Sequence, residues 1–281
     1  MKKILVPTDF SEQAGYAFEV AIAIARKTGA AIKLLHIVEM PHTSNFSATG
    51  DLMLDDGMDQ VYTMQLLEQT KAQISKLLSS VEHAGVEVVQ EVVVDQIISN
   101  VKRTVIEDQV DLVVMGSKGA SGMEEFLIGS NTEKVVRAAD CPVLTVKHSK
   151  PDFEVREVVL ASDFKREIGS AISKFKYFQE LFGARLHLVY VNTPGGFESS
   201  HNLQLKLQEA ADRYGLQHYT VNVYNDVVEE DGILHFAREI KADLIMMATH
   251  GRTGLAHLLS GSIAEDLVNH TAIPVLTIHL K

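Results

Sequence analysis

The sequence predicts an α/β protein of two tandem, doubly wound domains, each an open five-stranded parallel sheet with helices on both faces. Three observations predict it. First, the chain contains itself twice: DLVVMGSKGASG from Asp111 returns as DLIMMATHGRTG from Asp243, and CPVLTV from Cys141 returns as IPVLTI from Ile273, both at one constant offset. A fixed internal period marks a duplicated structural unit. Second, short β-branched runs alternate with longer amphipathic stretches in each half, which implies right-handed crossovers and a parallel sheet. Third, the short runs are almost continuously apolar, as strands buried on both faces must be.

In the first half the strands read as Lys3 to Pro7, Ala31 to Val38, Val86 to Val94, Asp111 to Gly116 and Pro142 to Val146, with four helices in the gaps. Ser11 is placed to cap the first helix and Gly29 to end it. The second half repeats the opening: ILVPTDF at Ile4 becomes VVLASDF at Val158, and KTGAAIKLLHIV becomes LFGARLHLVYV. The expected domains are 1–148 and 155–281, joined across HSKPDF, His148 to Phe153, a charged connector containing proline. The second half is the shorter one, and the residues it lacks lie between its second strand and second helix. There the first half carries EMPHTSNFSATGDLMLDDGMDQ. With Gly57 as the sixth position of a calcium loop, the first and third positions become Leu52 and Leu54, which cannot ligate, so the segment reads as a solvated insertion.

Composition excludes several functions. A formal net charge of −11 opposes a nucleic-acid binder, because phosphate neutralisation needs clustered basic residues. No apolar run approaches the roughly 18 residues of a membrane span, and the start MKKILVPTDF is not a secretory signal, so a cytoplasmic protein is expected. A single cysteine, Cys141, rules out an internal disulfide and reads as a small buried residue.

In an open parallel sheet, ligands sit beyond the carboxyl ends of the strands where strand order reverses. If the first and fourth strands flank that reversal, Asp9 and the loop after Gly116 line one crevice. Gly116 and Gly119 offer the close backbone approach and the positive φ that a phosphate cradle needs, and Gly129 and Ser130 open the next helix, whose N–H groups and dipole suit an anion. A flexible turn with an ordinary cap would use the same glycines. Neither a Walker A loop, a G-x-G-x-x-G fingerprint after the first strand, nor a G-x-S-x-G elbow is present.

ILVPTDFS, DLVVMGSKG, IGSNTEKVV and CPVLTV, in this order and spacing, resemble the universal stress proteins, and the resemblance covers both halves. The nucleotide-binding branch of that family carries G-x2-G-x9-G-[ST], which Gly116, Gly119, Gly129 and Ser130 match in full. The resemblance implies a Rossmann-like fold of the adenine nucleotide alpha hydrolase type and ATP or another adenine nucleotide as ligand, with magnesium or manganese. It implies that Pro7, Thr8, Asp9 and Ile37 surround the adenine and ribose. Gly116, Lys118, Gly119, Gly129, Ser130 and Asn131 would then surround the phosphates. It also implies that CPVLTV and IPVLTI pair within the chain as an internal pseudo-dimer, with a homodimer of chains left open and the protein partner unknown.

The second half departs from the motif. Ala248 stands where Gly116 does, while Asp163, Gly251, Gly261 and Ser262 remain, and His250 is placed to meet an anion in the position of Lys118. If the Ala248 position required a positive φ, the cost would be roughly 1–2 kcal/mol. Eight of the twelve histidines lie in this half. The His250 and His257 spacing lacks the one-turn separation of helical zinc ligands, and His36 and His187 read as partly buried strand residues. The expected function is a non-catalytic, ATP-binding stress-response or signalling module. The alternatives are a slow ATPase or transferase, for which only Glu124 and Glu125 are candidate groups, and an interaction module with empty sites.

Overall fold

The computed structural model of the chain describes residues 1–39, 56–81, 83, 85–117, 129–164, 168–250 and 262–280. The first half runs β1 (Lys3–Pro7), α1 (Glu12–Thr28), β2 (Ala31–Val38), α2 (Asp56–Ser80), β3 (Val88–Val94), α3 (Ile97–Glu107), β4 (Leu112–Gly116), α4 (Ser130–Ala138) and β5 (Val143–Val146). The second half repeats this as β6 (Glu157–Ala161), α5 (Gly169–Phe182), β7 (Arg185–Asn192), α6 (Ser200–Tyr214), β8 (Tyr219–Asn225), α7 (Glu229–Glu239), β9 (Leu244–His250), α8 (Ser262–His270) and β10 (Val275–Leu280). The strands β1 and β2 coincide with the expected spans, and β3, β4 and β5 begin one or two residues later than expected. Just before β4 the Asp111 carboxylate accepts the N–H groups of Lys2 and Lys3, at 2.5 and 3.1 Å, while its own N–H donates to the Lys3 carbonyl at 2.9 Å, which clamps the start of β1.

Helix punctuation follows the sequence. The Ser11 hydroxyl accepts the Ala14 N–H at 3.2 Å, and Gly29 ends α1 at φ 70°. Gly183 does the same for α5 at φ 64°, but no side chain caps the start of α5.

The sheet order is β3-β2-β1-β4-β5-β10-β9-β6-β7-β8. Pairing is parallel within each half, so strand order reverses between β1 and β4, and again between β6 and β9. The halves meet where β5 and β10 pair antiparallel with Leu144 opposite Leu276. There the Thr145 hydroxyl donates to the Val275 carbonyl at 3.2 Å, and its repeat counterpart Thr277 donates to the Val143 carbonyl at 3.3 Å. On the sheet face carrying α1 and α5, one apolar cluster crosses this seam, joining Phe18 and Ile24 to Phe175 and Leu276. On the opposite face each half keeps a core of its own, around Val113 and Val135 in one and Ile245 and Leu267 in the other. The chain is therefore one continuous sheet with a shared core on one side. No described helix is long and apolar enough to cross a membrane.

Candidate functional site

The end of β1 is wired by its own short side chains. Thr8 donates its N–H to the Leu35 carbonyl at 2.8 Å, and its hydroxyl accepts the Phe10 N–H at 3.1 Å. That bond holds Phe10 at a φ of 63°, a left-handed conformation an L-residue adopts only when its surroundings compel it. The Phe10 ring lies 4.5 Å from the His36 ring, whose Nδ1 is 2.7 Å from the Thr8 carbonyl oxygen. Asp9 accepts the Ser11 N–H at 3.1 Å and remains exposed. His36 is thus a partly buried, hydrogen-bonded strand residue.

Gly116 closes β4 against the start of α1. A Cβ built on it would lie 2.8 Å from the carbonyl carbon and the Cβ of Gln13. The expectation of a positive φ at this position is corrected: Gly116 is not among the residues with positive φ, and what it supplies is close helix approach. The strand's continuation is equally tight. The Thr132 hydroxyl donates to the Gly116 carbonyl at 2.8 Å, and the Gly129 N–H donates to the Ser117 carbonyl at 2.8 Å. Gly129 is the N-cap of α4, with φ −62° and ψ 136°, and makes no side-chain cap. The first-turn N–H groups of α4 are then left for solvent or a ligand, unlike those of α1 and α6, which Ser11 and Ser199 cap.

These elements enclose a crevice of about 280 Å³ at the β1/β4 reversal. One wall is apolar, made by Leu35 and Ile37 of β2, Ile97 of α3 and Met115 of β4; the other is polar, made by Gly129, Ser130, Asn131 and Thr132. Pro7, Thr8, Asp9, Ala14 and Gly116 form its floor. The first-half residues Pro7, Thr8, Asp9, Ile37, Gly116, Gly129, Ser130 and Asn131 therefore come together, while Lys118, Gly119, Glu124 and Glu125 lie outside the described residues. Sequence reasoning missed Ala14, Leu35, Ile97, Met115 and Thr132. Leu35 was findable, being two strand positions from Ile37 and so on the same face. Ile97 was not, because it comes from a helix start that the sheet order alone brings in.

The supports of that wall are polar. Glu39 accepts the Ile97 N–H at 3.1 Å. Asp95 takes hydrogen bonds from the Asn100 side chain at 3.0 Å, the Gln96 N–H at 2.7 Å and Arg103 at 2.9 Å. The Asn100 bond above all, then the Gln96 N–H and the Arg103 charge, holds its carboxyl below the usual carboxylate range.

The second half keeps the turn and changes the walls. Phe164 also has a positive φ, 54°, and its N–H is held by the Ser162 hydroxyl at 3.0 Å. Asp163 is exposed, as Asp9 is. Val191 replaces Ile37, and Glu229, which accepts the Thr193 hydroxyl at 3.4 Å, takes the place of Ile97. Gly232 occupies the position of Asn100, and a Cβ there would lie 2.5 Å from Val191 Cγ1, so α7 presses onto β7. His250 ends β9 and Ser262 opens α8, whereas Gly251, His257 and Gly261 lie outside the described residues. Ser117 and Thr249, which correspond in the repeat, are buried at 1% and 7% exposure, and among the described residues both hydroxyls lack a hydrogen-bond partner.

Comparison with known proteins agrees with this architecture. The model of the universal stress protein family matches the chain twice, over residues 1–147 and 154–279. A universal stress protein of Synechocystis is 25% identical over 300 residues, covering 99% of this chain and 99% of that protein. One from Methanocaldococcus jannaschii is 31% identical over 153 residues, covering 52% of this chain and 94% of the relative. The solved structure of a universal stress protein from Archaeoglobus fulgidus superposes with a TM-score of 0.71 at 21% identity, covering 99% of this chain and 98% of that one, a likeness of fold.

Proposed function

Because the chain belongs to the universal stress protein family, we propose that its first-half crevice holds an adenine nucleotide, ATP foremost, and that occupancy governs a non-catalytic stress-response or signalling role. The observation that carries this reading is the gathering of Asp9, Ile37, Gly116, Gly129, Ser130 and Asn131 around one crevice with an apolar and a polar wall. The base lies between Ile37, Ile97 and Met115, the ribose meets Thr8 and Asp9, and the phosphates lie on the uncapped N-terminus of α4. Lys118 and Gly119 complete the phosphate cradle. Backbone N–H groups and a helix dipole explain how a chain of net charge −11 attracts a polyanion.

A divalent ion fits this lining. Among the described residues the crevice offers one carboxylate, Asp9, and magnesium commonly takes one or two carboxylates, waters and phosphate oxygens rather than an all-protein cage. Asp9 and the Ser130 hydroxyl would hold it, and it would offset phosphate charge. The single buried cysteine supports a reducing, cytoplasmic setting. The β5–β10 pairing supports reading the halves as an internal pseudo-dimer.

Calorimetry on nucleotide-stripped protein tests the proposal. ATP with magnesium should bind in the micromolar to sub-millimolar range; no heat up to about 1 mM ligand overturns it. Asp9→Ala should weaken binding about tenfold by removing the polar contact of the floor.

A further inference from the structure

Helix α5 leans on the amino-terminal strand ends of the first half, and a crevice of about 330 Å³ opens between them. The linker packs beside it on α1 and α5: the Ser149 hydroxyl donates to Glu19 of α1 at 2.6 Å, Phe153 and Val155 are 2% and 3% exposed, and Phe153 meets Phe182 of α5 edge to face at 5.5 Å. The crevice lies between Val110, Cys141 and Pro142 of the first half and Lys174, Tyr177 and Phe178 of α5.

Its floor is apolar: Cys141, Phe178 and Val110 are 6%, 3% and 6% exposed. Lys174 lines the crevice, where the repeat places Val20 in α1. Lys174 is half-buried, and among the described residues it makes no hydrogen bond or ion pair. Met1 also borders the crevice, its nitrogen donating to the Tyr177 hydroxyl at 3.0 Å. Two carboxylates also border the crevice, Asp111, which accepts the Lys2 and Lys3 N–H groups, and Asp140 at the exposed rim, and among the described residues neither bonds Lys174. An ammonium half withdrawn from water beside an apolar floor is best satisfied by an anion that brings its own apolar surface.

We propose that this crevice is a second ligand site, for a small anionic amphiphile whose carboxylate or phosphate pairs with Lys174 while its apolar body lies on Cys141 and Phe178. The site is independent of the nucleotide reading. It lies at the amino-terminal ends of β1 and β4, whose carboxyl ends carry Pro7 and Gly116.

Cys141 is the only cysteine of the chain and serves as the reporter. Burial pushes its thiol up to about 12, with the Lys174 charge pulling the other way, so its alkylation in the native state is slow. Octanoate and octyl phosphate are the probes, with octanol as the neutral control. Octanoate should bind the full chain by calorimetry and slow alkylation of Cys141 by iodoacetamide, whereas ATP with magnesium should leave that rate unchanged. Lys174→Met, which keeps the alkyl stem, should weaken octanoate about tenfold and leave octanol within about twofold, with an unchanged melting temperature as the folding control. Tighter octyl phosphate than octanoate assigns the site to phosphate esters, and the reverse to carboxylates. No heat up to about 10 mM of either anion, equal affinity in Lys174→Met, or binding without protection of Cys141 each overturns the proposal.

Discussion

The two halves build the same turn and then diverge in what surrounds it. Each ends its first strand with a hydroxyl, an aspartate and a phenylalanine held at positive φ, Thr8-Asp9-Phe10 in one and Ser162-Asp163-Phe164 in the other. In the first half the neighbouring helix stands off: Asn100 reaches Asp95, and Ile37 and Ile97 face an open crevice. In the second, Gly232 removes that standoff, α7 presses onto Val191, and Glu229 brings a carboxylate to the position of Ile97. The strand-end turn is therefore common to both halves, and what differs is how close the neighbouring helix stands to its strand.

The largest effect should come from Gly129→Asp. The backbone there is extended, as an N-cap requires, so the new carboxylate should cap α4 and stabilise the fold by a few tenths of a kcal/mol. It would also place negative charge where the phosphates lie and lower ATP affinity at least about hundredfold. A thermal melt together with calorimetry checks the opposite signs, and retained affinity would break the comparison at its centre.

Next is the glycine that the halves do not share. Gly116→Ala drives a Cβ to 2.8 Å from Gln13 backbone and should cost about 1–3 kcal/mol in urea unfolding. The reciprocal Ala248→Gly removes a methyl from a partly buried residue and should cost about 1 kcal/mol or less. Equal costs would mean that both positions are equally crowded.

A smaller difference is expected in acid. Lys33 bonds Asp108 at 2.6 Å and pairs with Glu91, whereas in the same strand position His187 has Glu157 at 2.6 Å and Thr220 at 2.8 Å. The hydrogen bond from Lys33, and then its charge, hold the Asp108 carboxyl below the usual carboxylate range. Stability from this pair is present above that range and is lost as the pH falls through the folded value. Asp108→Asn should lower stability by about 1 kcal/mol at neutral pH and by much less near pH 3, read as melting temperatures.

The smallest effect is at the paired orphan hydroxyls. Ser117→Ala should be neutral or stabilising by up to about 1 kcal/mol, because a buried unpaired hydroxyl is removed. Thr249→Val should behave alike; a loss at only one of them would assign that hydroxyl a partner.

Most elements were legible. The strands β1 and β2 match the expected bounds, and Ser11 and Gly29 cap as expected, since period and cap chemistry are local properties. Of the crevice lining, the sequence pointed to polar and glycine residues and, on the apolar wall, to Ile37 alone. Nothing about Ile97 or Met115 distinguishes it from core until the sheet order sets it beside Ile37. Of the two uses of glycine expected at Gly116, close approach holds and positive φ does not: its need for space is imposed by Gln13, a residue about a hundred positions away.

By itself the sequence determined the duplication, the alternation of buried strands and helices, the capping, and the family, because each is written in short-range pattern and in repetition. The tertiary structure alone decided how close each helix stands to its strand, and that made Gly232 a wedge against Val191 while Asn100 holds a crevice open. It alone decided that α5 leans on the strand starts of the first half and sets Lys174 beside Cys141. The reason is that packing distances are set by pairs of side chains far apart in the chain, and no local period records them.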